Sequence, residues 1–281
     1  MIYKKNMAQA HQIVKCNTCG LMYAYPLHID HTKKYWEGSS NTPIKMPLFS
    51  EQFEKMLDMK EKIQVSDYLS SIKHVERLLP VKGNALEIGS SRGYFLHELE
   101  KRGWKITGLE PTDTRREEAK RIFGFDLIPD KLEDTSFLDN SFDAIFMFHV
   151  IEHVLNPSFT ISLLYRFLKP GGILVIETPT YDSLPYKVLR HRERSIRCYG
   201  HFTFFTKKTL KIMLEKSGFT TVRHDRVGRT LTFERLFWNI SVIFKSELID
   251  SILEKISRIG NIRQFKIYLN MGDMQRIYCR K

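Results

Sequence analysis

The sequence lacks any apolar run near the roughly 20 residues that a membrane-spanning helix needs, so we expect no transmembrane segment. The lysines near the N-terminus are not followed by an apolar stretch, which argues against a signal peptide. Four cysteines in 281 residues are too few to suggest a disulfide framework. These absences predict a cytoplasmic protein and leave contact with a membrane surface open.

Acidic residues are fewer than basic ones: the sequence has 32 Asp and Glu and 44 Lys and Arg, which gives a net charge of +12. This excess admits nucleic acid, an anionic membrane or a phosphorylated small molecule as partner. Much of it lies in one segment with a single acid, whose basic residues are Lys187, Arg190, Arg192, Arg194, Arg197, Lys207, Lys208 and Lys211. A solvated basic loop and an anion-binding segment both fit this pattern.

Apolar and helical patterns alternate along the middle of the chain and predict an α/β fold. A long amphipathic helix is expected over 51–79. The predicted strands are 84–88, 105–109, 126–128, 142–148, 173–177, 219–227 and 275–280. Further helices are expected over 93–102, 113–123 and 206–217, and after Asn156-Pro157. The alternation implies a doubly wound, mostly parallel sheet of seven strands.

The domain organisation is expected to have three parts. Residues 1–50 form an N-terminal arm, residues 51–229 and 264–281 form the main domain, and residues 230–263 form a helical insertion between the last two strands. Within the main domain, residues 178–205 are a long connection rich in aromatic and basic residues. Connections of this length are usually functional.

The stretch 84–96 predicts a strand, a tight turn and the start of a helix. Gly89 and Gly93 allow the backbone to approach a ligand where a Cβ atom would clash. Glu110 ends the next strand, where a carboxylate can accept hydrogen bonds from both hydroxyls of a ribose. A dinucleotide turn would prefer glycine at 91, which is Ser91, so the site suits an adenosine without a pyrophosphate.

These residues resemble the first two motifs of class I S-adenosylmethionine-dependent methyltransferases. The segments 139–143, 149–154 and 168–172 agree with later motifs of that family in order and spacing. The resemblance implies S-adenosylmethionine as cofactor, methyl transfer by in-line displacement, and an antiparallel hairpin at the C-terminal edge of the sheet. Ser91 stands where the family usually has a third glycine.

The resemblance also implies which residues hold the cofactor. The turn after strand 84–88 would hold the methionine end, Glu110 the ribose, and the loop after strand 126–128 the adenine, with Glu133 or Asp134 as candidates for the exocyclic amine. The tip of strand 142–148 would meet the amino group. The predicted cofactor residues are Glu87, Gly89, Ser90, Gly93, Glu110, Leu132, Glu133, Phe148 and His149.

Histidines are the candidates for proton transfer, because imidazole accepts a proton near neutral pH. His201 lies in a segment similar to one in sugar C-methyltransferases, where the histidine faces the acceptor, although Gly200 replaces the usual acid. His153 is the second candidate, with a structural role as the alternative. The predicted acceptor-binding residues are Tyr199, Arg192, Arg194 and Arg197.

Cys16 and Cys19 form a Cys-x-x-Cys-Gly knuckle, which is half of a zinc ribbon. The segment resembles the second half of the ribbon found in some small-molecule methyltransferases. The first half is missing from the sequence, so no metal site is predicted.

The sequence therefore predicts a methyltransferase that acts on a small anionic acceptor, such as a phosphorylated or nucleotide-linked sugar or another glycan precursor. Nucleic acid is not the expected partner, because no separate RNA-binding module is present. An RNA methyltransferase and a catalytically inactive partner subunit remain as alternatives.

Overall fold

The computed structural model describes residues 3–4, 12–25, 51–190, 193–198, 200–233, 236 and 265–281. Within these residues, a six-stranded sheet carries helices on its faces, and a four-stranded antiparallel sheet lies beside it. None of the described helices is long and apolar enough to span a membrane.

The boundaries of the described elements are as follows. The strands are β1 (Tyr3–Lys4), β2 (Gln12–Lys15), β3 (Met22–Tyr25), β4 (Asn84–Ile88), β5 (Lys105–Leu109), β6 (Phe142–Phe148), β7 (Leu168–Pro179), β8 (Thr203–Phe204), β9 (Thr220–Thr232) and β10 (Lys266–Arg280). The α-helices are α1 (Glu51–Leu78), α2 (Tyr94–Lys101), α3 (Asp113–Phe123), α4 (Pro157–Phe167), α5 (Leu184–Leu189), α6 (Arg194–Arg197) and α7 (Lys207–Lys216). Single 3-10 turns span Leu132–Asp134 and Ile151–His153.

The large sheet has the strand order β5-β4-β6-β7-β10-β9. Strands β5, β4, β6 and β7 are parallel, and β10 is antiparallel to both β7 and β9. This confirms the predicted Rossmann-like sheet with an antiparallel C-terminal hairpin. The predicted strand 126–128 is reduced to one parallel bridge between Leu109 and Ile128, because only Leu127 is buried in that stretch.

Alternate residues of the central strands pack in two apolar layers, one on each face of the sheet. Leu86, Ile145 and Ile176 belong to one layer, and Phe146 and Val175 belong to the other. Strands buried on both faces are typical of parallel sheets covered by helices. This packing holds the carboxyl ends of β4, β5 and β6 at one edge, where ligands of such sheets bind.

Three predicted strands were too short. Strand β7 begins at Leu168 rather than 173, β9 continues to Thr232, and β10 begins at Lys266 rather than 275. The extra residues of β9 and β10 are mostly exposed or half-buried and pair with each other, so no continuous apolar run marks them. Strand β9 thus enters the segment 230–263 that was expected to be helical. The remainder of that segment, apart from Phe233 and Leu236, lies outside the described residues.

The N-terminal arm packs against the connection between β7 and α7. Strand β3 pairs with β8, so Met22 lies opposite Phe204 and Tyr23 opposite Thr203. A separate apolar cluster joins the two segments; its buried members are Ile13, Met22, Ala24, Tyr181, Ile196 and Phe204. The connection 178–205 is therefore more ordered than expected, because α5, α6 and β8 lie within it.

Candidate active site

The turn after β4 has the backbone conformation that its glycines predict. Gly89 and Gly93 have φ angles of 75° and 77°, and a Cβ atom on Gly89 would lie 2.5 Å from Cγ2 of Val150. Ser91 also has a positive φ, of 48°, which explains why glycine is common at this position in similar turns. The hydroxyl of Ser90 donates to the carbonyl of Glu87 and closes the turn.

Glu87 presents a buried carboxylate to this turn. Its side chain is only 5% exposed, and Oε2 has no hydrogen-bond partner among the described residues. Burial, with the nearby charges of Glu110 and Glu61, raises the pKa of Glu87 well above its ordinary value. A buried acceptor without a partner is costly. The site therefore fits the ammonium group at the methionine end of S-adenosylmethionine.

Glu110 lies at the tip of β5, as predicted, and is almost fully buried. Its carboxylate accepts hydrogen bonds from the backbone N–H groups of Ser91 at 2.9 Å and Thr112 at 3.0 Å. These bonds hold the side chain against the glycine turn, where a ribose is expected.

A cavity of about 280 Å³ lies beside Gly89 and fits the adenine end of the cofactor. The 3-10 turn at 132–134 forms one wall, and Leu132, Glu133 and Asp134 all line the cavity. The carboxylate of Glu133 accepts a hydrogen bond from the Thr160 hydroxyl, so it is already engaged. This contact favours Asp134 or the backbone for the exocyclic amine.

A row of interacting charged side chains begins at the carboxyl end of β6. Phe148 stacks on Tyr68 with a centroid separation of 4.2 Å. His149, whose φ is 56°, places its ring 3.5 Å from Glu152 and 3.4 Å from Glu177. Burial opposes the charge of His149, but the hydrogen bonds to these carboxylates outweigh it and raise its pKa to about 9. Arg276 pairs with Glu177 at 2.6 Å, so the buried charges compensate one another.

The two predicted catalytic histidines come together. His153 and His201 meet edge to face, with ring centroids 4.7 Å apart, and both are buried. Nδ1 of His153 lies 2.9 Å from the carbonyl oxygen of Gly200, and Nδ1 of His201 lies 3.3 Å from the Tyr181 hydroxyl. A carbonyl oxygen only accepts, so Nδ1 of His153 carries the proton.

A buried carboxylate, that of Glu152, lies beside both histidines. One of its carboxylate oxygens lies within 4.8 Å of a ring nitrogen of both His153 and His201. Burial opposes its ionisation, but the hydrogen bond with His149 and the nearby charge of His153 lower the pKa of Glu152 to about 2. Glu152 is not among the site residues predicted from the sequence. The His-x-x-Glu-His pattern at the tip of a strand is the signal that could have found it.

A second cavity of about 400 Å³ joins these groups. Glu87, Gly89, Phe148, His153 and His201 all line it, and its outer wall is formed by residues near α6. The wall residues are Glu193, Ser195 and Cys198. Gly89 and His153 also line the adenine-side cavity, so the two cavities meet there.

The side chains of the predicted acceptor-binding residues are not described by the structure. Arg192 and Tyr199 lie outside the described residues. Arg194 and Arg197 are described only through the backbone of the short helix α6. Their contact with an acceptor therefore stays a prediction.

The cysteine knuckle forms the turn between β2 and β3. The backbone N–H of Gly20 donates to the carbonyl of Cys16, and both Cys16 and Cys19 are partly exposed. Hydrogen bonds from Cys19 and Thr18 lower the pKa of the Cys16 thiol to about 7. Among the described residues, no third metal-binding side chain joins the pair.

Fold and site together define a class I S-adenosylmethionine-dependent methyltransferase. The sequence profile of the family described as "Methyltransferase domain" matches residues 60–224, and the chain belongs to that family. The cofactor is S-adenosylmethionine.

Relatives with curated names share part of this chain. The "Uncharacterized protein MJ1123" of Methanocaldococcus jannaschii is 30% identical over 175 residues, which are 62% of this chain and 80% of that protein. The "tRNA U34 carboxymethyltransferase" of Syntrophotalea carbinolica is 30% identical over 154 residues, or 52% of this chain. The match spans only 48% of that enzyme.

Solved structures agree in fold. A methyltransferase from Thermotoga maritima, described as a possible histamine N-methyltransferase, superposes with a TM-score of 0.53 at 24% identity, covering 82% of this chain and 97% of its own. A methyltransferase from Archaeoglobus fulgidus gives 0.55 at 20% identity, with coverages of 80% and 99%. At these identities the likeness concerns the fold alone.

Proposed function

We propose that the protein methylates an oxygen or carbon atom of a small anionic acceptor, such as a phosphorylated or nucleotide-linked sugar. The observation that carries this proposal is the 400 Å³ cavity in which the glycine turn meets His153 and His201. Cavities of this size suit small molecules. The outer wall includes Glu193, Ser195 and Cys198, which flank or lie within the arginine-bearing helix α6. An anionic end of the acceptor at this wall would leave its reacting end at the histidines.

S-adenosylmethionine, when bound, supplies a methyl group on a positively charged sulfur and therefore both the electrophile and the leaving group. The protein's task is to hold the acceptor in line and to remove its proton. His201 accepts that proton, and the neighbouring Glu152 carboxylate stabilises the imidazolium that forms. His153 is held by Gly200 and orients the ring of His201 through their edge-to-face contact.

Turnover of candidate acceptors tests the proposal. Purified protein with S-adenosylmethionine is screened against nucleotide sugars and sugar phosphates, with methylated products detected by mass spectrometry. Arg194→Ala is expected to raise KM more than it lowers kcat, because it removes acceptor binding. The control is His224→Gln, since His224 hydrogen-bonds Gln275 and lines neither cavity. If KM is unchanged in Arg194→Ala, the proposal that α6 binds the anionic end of the acceptor is wrong.

A second candidate is transfer to RNA. Two observations favour it: the relatives named tRNA U34 carboxymethyltransferase and the net charge of +12. Binding to tRNA that weakens steeply with salt, together with methylated tRNA and no methylated sugar, would select this reading. Protein that binds neither S-adenosylmethionine nor an acceptor would instead be an inactive partner subunit.

A further inference from the structure

Glu152, His153 and His201 form a group with the composition of a metal site. One carboxylate oxygen and one nitrogen from each imidazole lie within 4.8 Å of one another, and all three residues are buried. Ligand atoms around a tetrahedral ion with bonds of about 2.1 Å lie roughly 3.4 Å apart. To coordinate one ion, the three groups would therefore have to approach one another by up to about 1.4 Å.

The groups behind these three residues are those that orient metal ligands. Nδ1 of His153 donates its proton to the carbonyl of Gly200, so in the neutral imidazole the lone pair lies on Nε2. The Tyr181 hydroxyl lies beside Nδ1 of His201, and the Thr178 hydroxyl donates to Glu152 at 2.9 Å. Such partners fix the tautomer and direction of histidine and carboxylate ligands.

Carboxylates are the more numerous charged groups among the described residues that line the cavity, if histidines are left aside. Among the described residues of this lining, the Lys and Arg side chains are Lys60 and Arg229. Arg229 is paired with Asp273. Of the other lining carboxylates, Glu61 is paired with Arg92 and Arg115, and Glu152 lies 3.5 Å from His149. Glu87 and Glu193 also line the cavity.

From this arrangement we infer that Glu152, His153 and His201 bind a divalent transition-metal ion, such as Mn²⁺, Zn²⁺ or Fe²⁺, which coordinates the oxygen of the methyl acceptor. Two imidazoles and one carboxylate are the ligands that such ions accept while keeping positions open. The inference deepens the proposed function and rests on it for the identity of the acceptor group, and it replaces the role of His201 as proton acceptor by a role as metal ligand.

The ion would change how the acceptor is activated. A coordinated hydroxyl has a lowered pKa, so its proton passes to water rather than to His201. The oxygen lone pair then forms the O–CH₃ bond as the C–S bond of the methyl donor breaks, and that electron pair stays on sulfur as a neutral thioether. His201 and His153 act in this scheme as ligands.

Calorimetric titration with Mn²⁺ tests the site without any acceptor. The full chain is stripped with a chelator, and Cys16→Ser/Cys19→Ser is used as background, so that the knuckle cannot contribute. We expect one ion per chain, with Glu152→Gln, His153→Gln and His201→Gln each weakening binding at least ~10-fold. His224→Gln should bind Mn²⁺ like the background. Calorimetry with S-adenosylmethionine on each variant reports whether the fold is kept.

The outcomes separate this inference from the proposed function. If the background protein takes up no Mn²⁺, or if both histidine variants bind it within two-fold of the background, the metal site is wrong, while binding of S-adenosylmethionine leaves the methyltransferase intact. X-ray absorption of the Mn²⁺-loaded background protein requires no ligand variant. It should show imidazole scattering, and a spectrum with oxygen ligands alone would overturn the assignment.

Discussion

Substituting Glu87 by glutamine should weaken the binding of S-adenosylmethionine and, at the same time, stabilise the folded protein without cofactor. The carboxylate is 5% exposed, and its Oε2 lacks a partner among the described residues. Hydrogen bonds to charged groups contribute about 1.5–3 kcal/mol, so loss of the contact with the ammonium group of S-adenosylmethionine should weaken binding ~10- to 150-fold.

The stability effect of Glu87→Gln has a defined sign and pH window. The pKa of Glu87 is raised in the folded protein, so above its ordinary value of 4.5 the unfolded chain loses this proton first. Between pH 4.5 and the raised pKa, the folded protein therefore loses up to about 1.4 kcal/mol of stability for each unit by which the pH rises. Glutamine does not titrate, so the stability advantage of the variant should grow as pH rises above 4.5.

Two assays decide the Glu87 prediction. Calorimetry in buffers of different ionisation enthalpy measures both the affinity for S-adenosylmethionine and proton release, which should vanish in the variant. Thermal unfolding without cofactor, from pH 4.5 to 8, measures the stability difference. Equal affinities would refute the placement of the ammonium group, and a variant less stable at every pH would refute the argument from the unpartnered oxygen.

Substitutions at three further positions test other parts of the site and fold. Glu110→Ala should weaken the binding of S-adenosylmethionine by ~1–3 kcal/mol in calorimetry. Glu110→Gln should weaken it less, because glutamine keeps an acceptor for a backbone N–H. His201→Gln should lower kcat ~10²–10⁴-fold in steady-state assays with little change in acceptor KM, and a change within a few-fold would make the residue structural. Burial lowers the pKa of His224 to about 4, so the unfolded chain takes up this proton first as pH falls below 6.5. His224→Gln should therefore lose less stability than wild type between pH 6.5 and 4 in thermal unfolding, and parallel profiles would contradict this.

The central fold was predictable because its signals are local. The apolar run 142–148 coincides with β6, and Asn156-Pro157 begins α4 with the Asn156 side chain accepting from the N–H of Phe159. Gly124 ends α3 with a positive φ, as a helix-terminal glycine should. Each of these features depends on neighbouring residues, so the sequence alone specifies them.

The remainder depended on contacts between distant residues. The role of Glu152 follows from its approach to His201, and the stacking of Tyr68 on Phe148 follows from the packing of α1 across the sheet. The outer halves of β9 and β10 are strands because they pair with each other, although most of their side chains are exposed or half-buried. No local pattern contains this information.

The pairing of β3 with β8 bears on the order in which the two halves of the site are made. The turn, helix and strand around Glu87 and Glu110 come from consecutive residues, so they need only short loop closures. The segment next to His201 needs β8 to pair with β3, which lies far earlier in the chain. Loop-closure entropy makes such long-range pairing slow. During folding, we therefore expect the methyl-donor site to mature before the acceptor site, so that a partly folded chain can hold the donor before it can present it to an acceptor.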